Sequence, residues 1–172
     1  KEIMLFNSYE FIFIFLPICV LGFYLINNSR YTNYSYLWVF LCSVFFYSWW
    51  NVYFIFLILL TIGINHYFGS LIIAKKEKKY FIFGILFQLF ILGYFKYKNF
   101  FLENLNLVSS NNFEIEKIIL PLGISFFTFK HILYLVECYK ENNKSHYSLL
   151  DYSTYITFFP HLIAGPLSKP KE

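Results

Sequence analysis

The residues best suited to chemistry in this chain lie in its C-terminal half, inside apolar runs where a plain membrane anchor would carry leucine. On an α-helix Lys130, Tyr134 and Glu137 fall at i, i+4 and i+7, within about 60° of one another. An ammonium, a phenol and a carboxylate on one face could line a polar cavity. They could equally make a structural Lys–Glu or Lys–backbone pairing. Ser125 adds a hydroxyl in the preceding run Ile119–Phe129, and Thr128, His131 and Cys138 mark a neighbouring face. His131 is weighed there as an acid–base group. His161 lies between Pro160 and Gly165-Pro166, which break any helix. Its imidazole could contact substrate, make an essential hydrogen bond or satisfy backbone carbonyls freed by the break. Earlier, Asn65 and His66 are flanked by Gly63 and Gly69. That pattern reads as close helix packing with an Asn cross-link, not as catalysis.

Polar groups at membrane depth are costly and need partners, and irregular backbone there survives only where protein or a cavity covers it. Two segments have that character, Ile119–Phe129 with Pro121 and Gly123, and Phe158–Pro166 with Pro160, Gly165 and Pro166. Other chemistries lack their signatures. There is no Gly-rich phosphate loop, no Gly-x-Ser-x-Gly elbow, no paired carboxylates and no metal-spaced His/Cys cluster. Cys19, Cys42 and Cys138 sit in apolar runs without redox or metal spacing and read as small buried hydrophobes. No metal or bound cofactor is expected.

The elements that must position these groups are membrane helices. Hydrophobic residues make up 58% of the 172 residues and charged ones only 14%. A soluble domain carries about 25% charged residues, so the expected class is an all-α, polytopic transmembrane protein partnered by the lipid bilayer. Nucleic acid is excluded as a partner, because no basic patch alternates with solvent-facing aromatics. Apolar runs place five spans at about 11–26, 37–50, 53–74, 80–97 and 118–139. The break between the second and third is Ser48-Trp-Trp-Asn51, where paired tryptophans suit a membrane–water interface. A short apolar segment at 152–164 reads as re-entrant or tilted. With Lys75–Lys79 on the cytoplasmic side, Arg30, Lys140 and Lys144 join it, and the N-terminus is extracytoplasmic. The opposite loop balances Lys96, Lys98 and Lys117 against Glu103, Glu114 and Glu116. No second soluble domain or internal repeat is visible, so residues 1–172 read as part of one transmembrane domain.

Six stretches, in order, resemble the membrane-bound O-acyltransferase family, in its bacterial branch of alginate, peptidoglycan and related polysaccharide O-acetyltransferases. They are Met4-Leu-Phe-Asn-Ser8 with Phe-Leu-Pro17, Phe45–Asn51, Asn65–Gly69, Leu92–Phe101, Leu120–Phe129 and Phe159–Pro166. This chain departs from the family's pattern at Lys130, where Gln is common, and at Glu137, where Asp is common. Both changes fall on the face described above. The family's pattern makes residues 1–172 an N-terminal part, with the characteristic catalytic His in a later membrane segment. Neither His131 nor His161 matches it, so no catalytic residue is assigned in this chain, which alone is expected to be inactive.

The resemblance implies acetyl transfer across a bacterial inner membrane. A cytoplasmic acyl donor, acetyl-CoA or an acyl carrier, would feed a tunnel. A His would act as general base for a hydroxyl, on the polysaccharide or on a periplasmic acetyltransferase partner. His161, Lys130, Tyr134, Glu137 and Ser125 are then tunnel or substrate-contact candidates. Pro121, Gly123, Pro160, Gly165 and Pro166 shape its walls. D-alanine transfer to teichoic acid within the same family and a transporter or flippase are the rival readings.

Overall fold

The computed structural model describes residues 6–28, 33–108, 120–140 and 147–161, and among these it is all helical. A π-helical turn, Phe11–Phe15, leads into α1 (Leu16–Asn27). The π-turn has a local cause. Pro17 has no N–H to offer the carbonyl one turn earlier, and the backbone widens so that Leu16 N–H bonds Phe11 O. Then follow α2 (Asn33–Trp50), α3 (Val52–Lys75), α4 (Lys78–Val108), α5 (Ile124–Lys140) and α6 (Leu149–Thr157), which ends in a 3₁₀ turn, Phe159–His161.

The break between α2 and α3 falls within the expected Ser48–Asn51 stretch. Asn51 is extended, and its side chain accepts the Tyr53 N–H at 2.9 Å as an N-cap. Lys76 in the left-handed region, φ 53°, closes α3. In the turn a hydrogen bond to Glu77 at 2.5 Å holds the Lys79 ammonium above the usual lysine range.

Three helices end elsewhere than the apolar runs suggest. α4 continues beyond Tyr97 to Val108, because polar residues end a membrane span without ending a helix. No Gly or Pro interrupts Tyr94–Val108, and Lys96 and Lys98 lie over the Tyr97 and Tyr94 rings at 5.5 and 5.4 Å. α5 starts at Ile124, not 118, since Pro121 and the positive φ of Gly123, 69°, impose a turn first. The last segment is helical from Leu149, before the apolar run, and stops at Thr157. Its nine residues span about 14 Å at the usual rise, well short of a bilayer core.

α3 and α4 are each long and apolar enough to cross a membrane unaided, and Phe11–Asn27 is a shorter apolar helix. α5 is not among them: it has 17 residues, and Lys130, His131 and Glu137 interrupt its apolar run.

The bundle holds a polar centre within an apolar core, and its outside is apolar too. Phe13, Phe56 and Phe90 are each about 70% exposed, at 69%, 69% and 71%. Ser43, Thr61, Asn65, Gln88, Thr128, Lys130 and His131 are buried. Water would favour a polar outside, and lipid favours this arrangement. α3 and α5 run parallel, with Asn65 against His131 and Gly69 against Tyr134. α4 is antiparallel to α5, pairing Phe81 with Tyr139 and Gly84 with Leu135. The Lys75–Lys79 turn and Lys140 therefore share one end of the bundle, in line with their placement on one side by charge.

Candidate functional site

The polar centre joins four helices through one directed set of hydrogen bonds. Gln88 of α4 donates to Asn65 Oδ1 at 3.1 Å. Asn65 Nδ2 donates both to the Tyr152 hydroxyl of α6, at 2.7 Å, and to the His131 carbonyl of α5, at 3.1 Å. Thr61 spends its proton on Ile58 O, at 2.8 Å, so it can only accept from His131 Nε2, 3.2 Å away. That fixes His131 as the neutral Nε2–H tautomer, and Tyr152 then donates to Nδ1 in a short contact. Both ring nitrogens are thus engaged and the ring is wholly buried. This arrangement suits a structural latch. It leaves His131 no free nitrogen with which to take a proton from a substrate. Two buried oxygens beside it, Gln88 Oε1 and Thr128 Oγ1, have no hydrogen-bond partner.

Tyr134 packs on this centre, its ring stacked on Tyr152 with centroids 4.0 Å apart. The stack requires Gly69, where a Cβ would come within 2.6 Å of the Tyr134 hydroxyl. The expected packing role of the Asn65 region is thus visible atom by atom. Gly63 faces open space and takes no part.

Lys130 is 1% exposed. Its ammonium donates to Tyr155 O at 2.8 Å and lies over the Phe126 and Tyr155 rings at 5.2 and 4.9 Å. Glu137, toward the lysine-rich end, accepts from the Tyr147 hydroxyl at 2.9 Å, while its second carboxylate oxygen is buried without a partner. No ion pair joins Lys130 to Glu137 among the described residues, so of the pairings open from sequence Lys130 makes the backbone one. Ser125 is half-buried near the start of α5.

The two irregular segments meet α2. The Tyr47 hydroxyl donates to Leu122 O at 2.7 Å, satisfying a carbonyl of the Pro121–Gly123 turn. One helical turn earlier, Ser43 Oγ accepts the Phe159 N–H at 3.4 Å. The Phe159 ring is buried among Phe11, Phe15 and Phe46, at 6.0, 5.3 and 5.7 Å. Pro121 is buried, Pro160 is exposed, and His161 ends the 3₁₀ turn. The His161 side chain, Gly165 and Pro166 lie outside the described residues.

Sequence reasoning missed Gln88, Thr61, Tyr152, Ser43 and Tyr47. Gln88 had a signal, as the lone amide in the otherwise apolar run of α4. The hydroxyls had none, since Ser and Thr in helices ordinarily bond a carbonyl of their own helix and the reach of a Tyr hydroxyl is set by tertiary packing.

The fold and this centre define a membrane-type helical bundle with a hydrogen-bonded polar centre and two breaks anchored to one helix. In sequence the chain is 36% identical to the probable alginate O-acetylase AlgI of Pseudomonas aeruginosa, over 98% of this chain and 34% of that protein. It is 36% identical to the peptidoglycan O-acetyltransferase of Helicobacter pylori, over 99% of this chain and 38% of that one. The AlgI of Pseudomonas syringae is 35% identical over 98% of the chain. The chain is homologous to these bacterial O-acetyltransferases, and the resemblance carried by its six motifs is borne out. It spans about a third of the length of the curated relatives it matches. No protein-family model and no solved structure matches it.

Proposed function

We propose that this chain forms part of the membrane subunit of a polysaccharide O-acetyltransferase acting on an alginate-like glycan or on peptidoglycan. The observation that carries this reading is near-complete coverage of the chain, at 36% identity, by proteins named for those two activities. In this reading an acetyl group passes from a cytoplasmic donor, acetyl-CoA or an acyl carrier, toward an extracytoplasmic hydroxyl, directly or through a periplasmic partner. The membrane is the bacterial inner membrane, with the Lys75–Lys79 turn cytoplasmic and the N-terminus outside.

The chain's contribution is the walls of the path. Pro121–Gly123 and Phe159–His161 supply irregular backbone, and their polar groups find partners on α2. Glu137, Ser125 and His161 remain the residues proposed to face substrate, while Lys130 and Tyr134 are committed to partners within the bundle. Glu137 stands out among them for its unpartnered buried oxygen. None of the histidines described is assigned the catalytic role, and His131 is committed to the polar core.

The test is the O-acetyl content of secreted and cell-wall glycans in a strain lacking the gene. Loss of O-acetyl from one glycan, restored by the intact gene, supports the reading and names the acceptor. Unchanged O-acetylation with loss of D-alanyl esters would replace it with D-alanine transfer.

A further inference from the structure

One backbone hydrogen bond is missing where α6 ends, and its two halves have gone to different helices. In a continuing α-helix the Phe159 N–H would bond Tyr155 O, four residues back. Here that N–H goes to Ser43 of α2, and the Tyr155 carbonyl takes the Lys130 ammonium of α5 instead. Phe158 leaves helical backbone, at ψ 106°, and Pro160 has no N–H for Ile156 O, so the helix is not prolonged. Lys130 then does for α6 what a C-terminal cap does, with its positive charge at the negative end of the helix dipole. The other break is held likewise, since the bare Leu122 carbonyl before α5 is met by Tyr47.

Ser43 and Tyr47 are one helical turn apart on a single face of α2. We infer that this face is a common register for both breaks, and that Ser43, Tyr47 and Lys130 are positioning residues. They fix the Phe159–His161 turn relative to the Pro121–Gly123 turn. The inference concerns the placement of these two turns and holds whichever acyl group or acceptor the protein serves. It gives Lys130 a role other than contact with a ligand. The donor to Tyr155 O is what matters, and any replacement must supply one.

The test is amide hydrogen exchange on the full-length protein in lipid nanodiscs, read by mass spectrometry. The informative peptides cover 120–127 and 156–161, with one inside Val52–Lys75 as control. Tyr47→Phe keeps the ring and removes the hydroxyl, and should speed exchange in 120–127. Ser43→Ala and Lys130→Leu should each speed exchange in 156–161, on the order of tenfold, as expected for loss of a buried hydrogen bond. Lys130→Arg should restore the parent rate, because a guanidinium offers donors and stacks on the two rings. The control peptide should not change. Parent-like exchange in both peptides for Tyr47→Phe and Ser43→Ala would overturn the shared register. A Lys130→Arg protein as fast as Lys130→Leu would overturn the capping role. Should Lys130→Leu fail to assemble, the two α2 variants decide the matter.

Discussion

Tyr152→Phe removes one oxygen from the polar centre and leaves the ring, so no cavity opens and the stacking on Tyr134 at 4.0 Å survives. The hydroxyl both accepts from Asn65 at 2.7 Å and donates to His131 Nδ1. Asn65 keeps its second bond, to the His131 carbonyl at 3.1 Å, so its amide is only partly stripped. His131 Nδ1 is left as a buried acceptor with nothing to accept. An orphaned buried group costs about 1–3 kcal/mol in water-soluble proteins. Within membranes interhelical hydrogen bonds average about 0.6 kcal/mol and reach about 1.7. The working expectation is therefore about 1–2 kcal/mol of lost stability, or a factor of roughly 5 to 30 in the unfolding equilibrium. The assay is reversible unfolding of the full-length protein in mixed micelles with increasing SDS. Imidazole ¹⁵N shifts, read alongside, would show the Nε2–H tautomer in the parent losing its definition in the variant. Parent-like stability with an unchanged tautomer would refute the directed network, because the hydroxyl would then not be what fixes the ring.

Other outcomes can be checked in the same assay. Gly69→Ala should cost about 1–3 kcal/mol by overpacking against Tyr134. Gly63→Ala, which meets nothing within 4 Å, should be neutral or stabilise by up to about 1 kcal/mol through helix propensity. Gly123→Ala should destabilise by about 1–2 kcal/mol, because a Cβ is strained at φ 69°. Glu137→Gln should leave stability within about 0.5 kcal/mol of the parent, since an amide oxygen can still accept from Tyr147 and a buried charge is removed. Glu137→Leu, which strands that hydroxyl, should cost more, about 1 kcal/mol.

Local chemistry was legible wherever a residue acts on its own backbone. The break at Ser48–Asn51, the turn at Lys75–Lys79, and the Pro121 and Pro160 breaks could all be placed from residue type alone. The end of α4 was not, because hydropathy reports where lipid stops and says nothing about where the hydrogen-bond ladder stops. At the site, the helical face shared by Lys130, Tyr134 and Glu137 was visible from spacing, but what each group meets was not. Lys130 and Glu137 lie two turns apart and bond to different partners, Tyr155 and Tyr147. Such partners, like Ser43 to Phe159 across 116 positions, arise only from tertiary packing.

The polar interior also bears on how the bundle is built. A charged residue near the middle of an inserting helix costs about 2.5–3.5 kcal/mol. α5 carries Lys130 and Glu137, so it would enter lipid poorly by itself. The helices bearing the Asn65 and Gln88 side chains, α3 and α4, are long and apolar, and they leave the ribosome before α5. They can insert unaided and wait in the membrane with an unfulfilled amide apiece. α5 then arrives at a surface that already offers its carbonyl and imidazole somewhere to bond, and α6 follows with Tyr152 and the Tyr155 carbonyl for Lys130. The order of helices along the chain is thus also a workable order of assembly, in which each costly element meets a partner synthesised close to it in time.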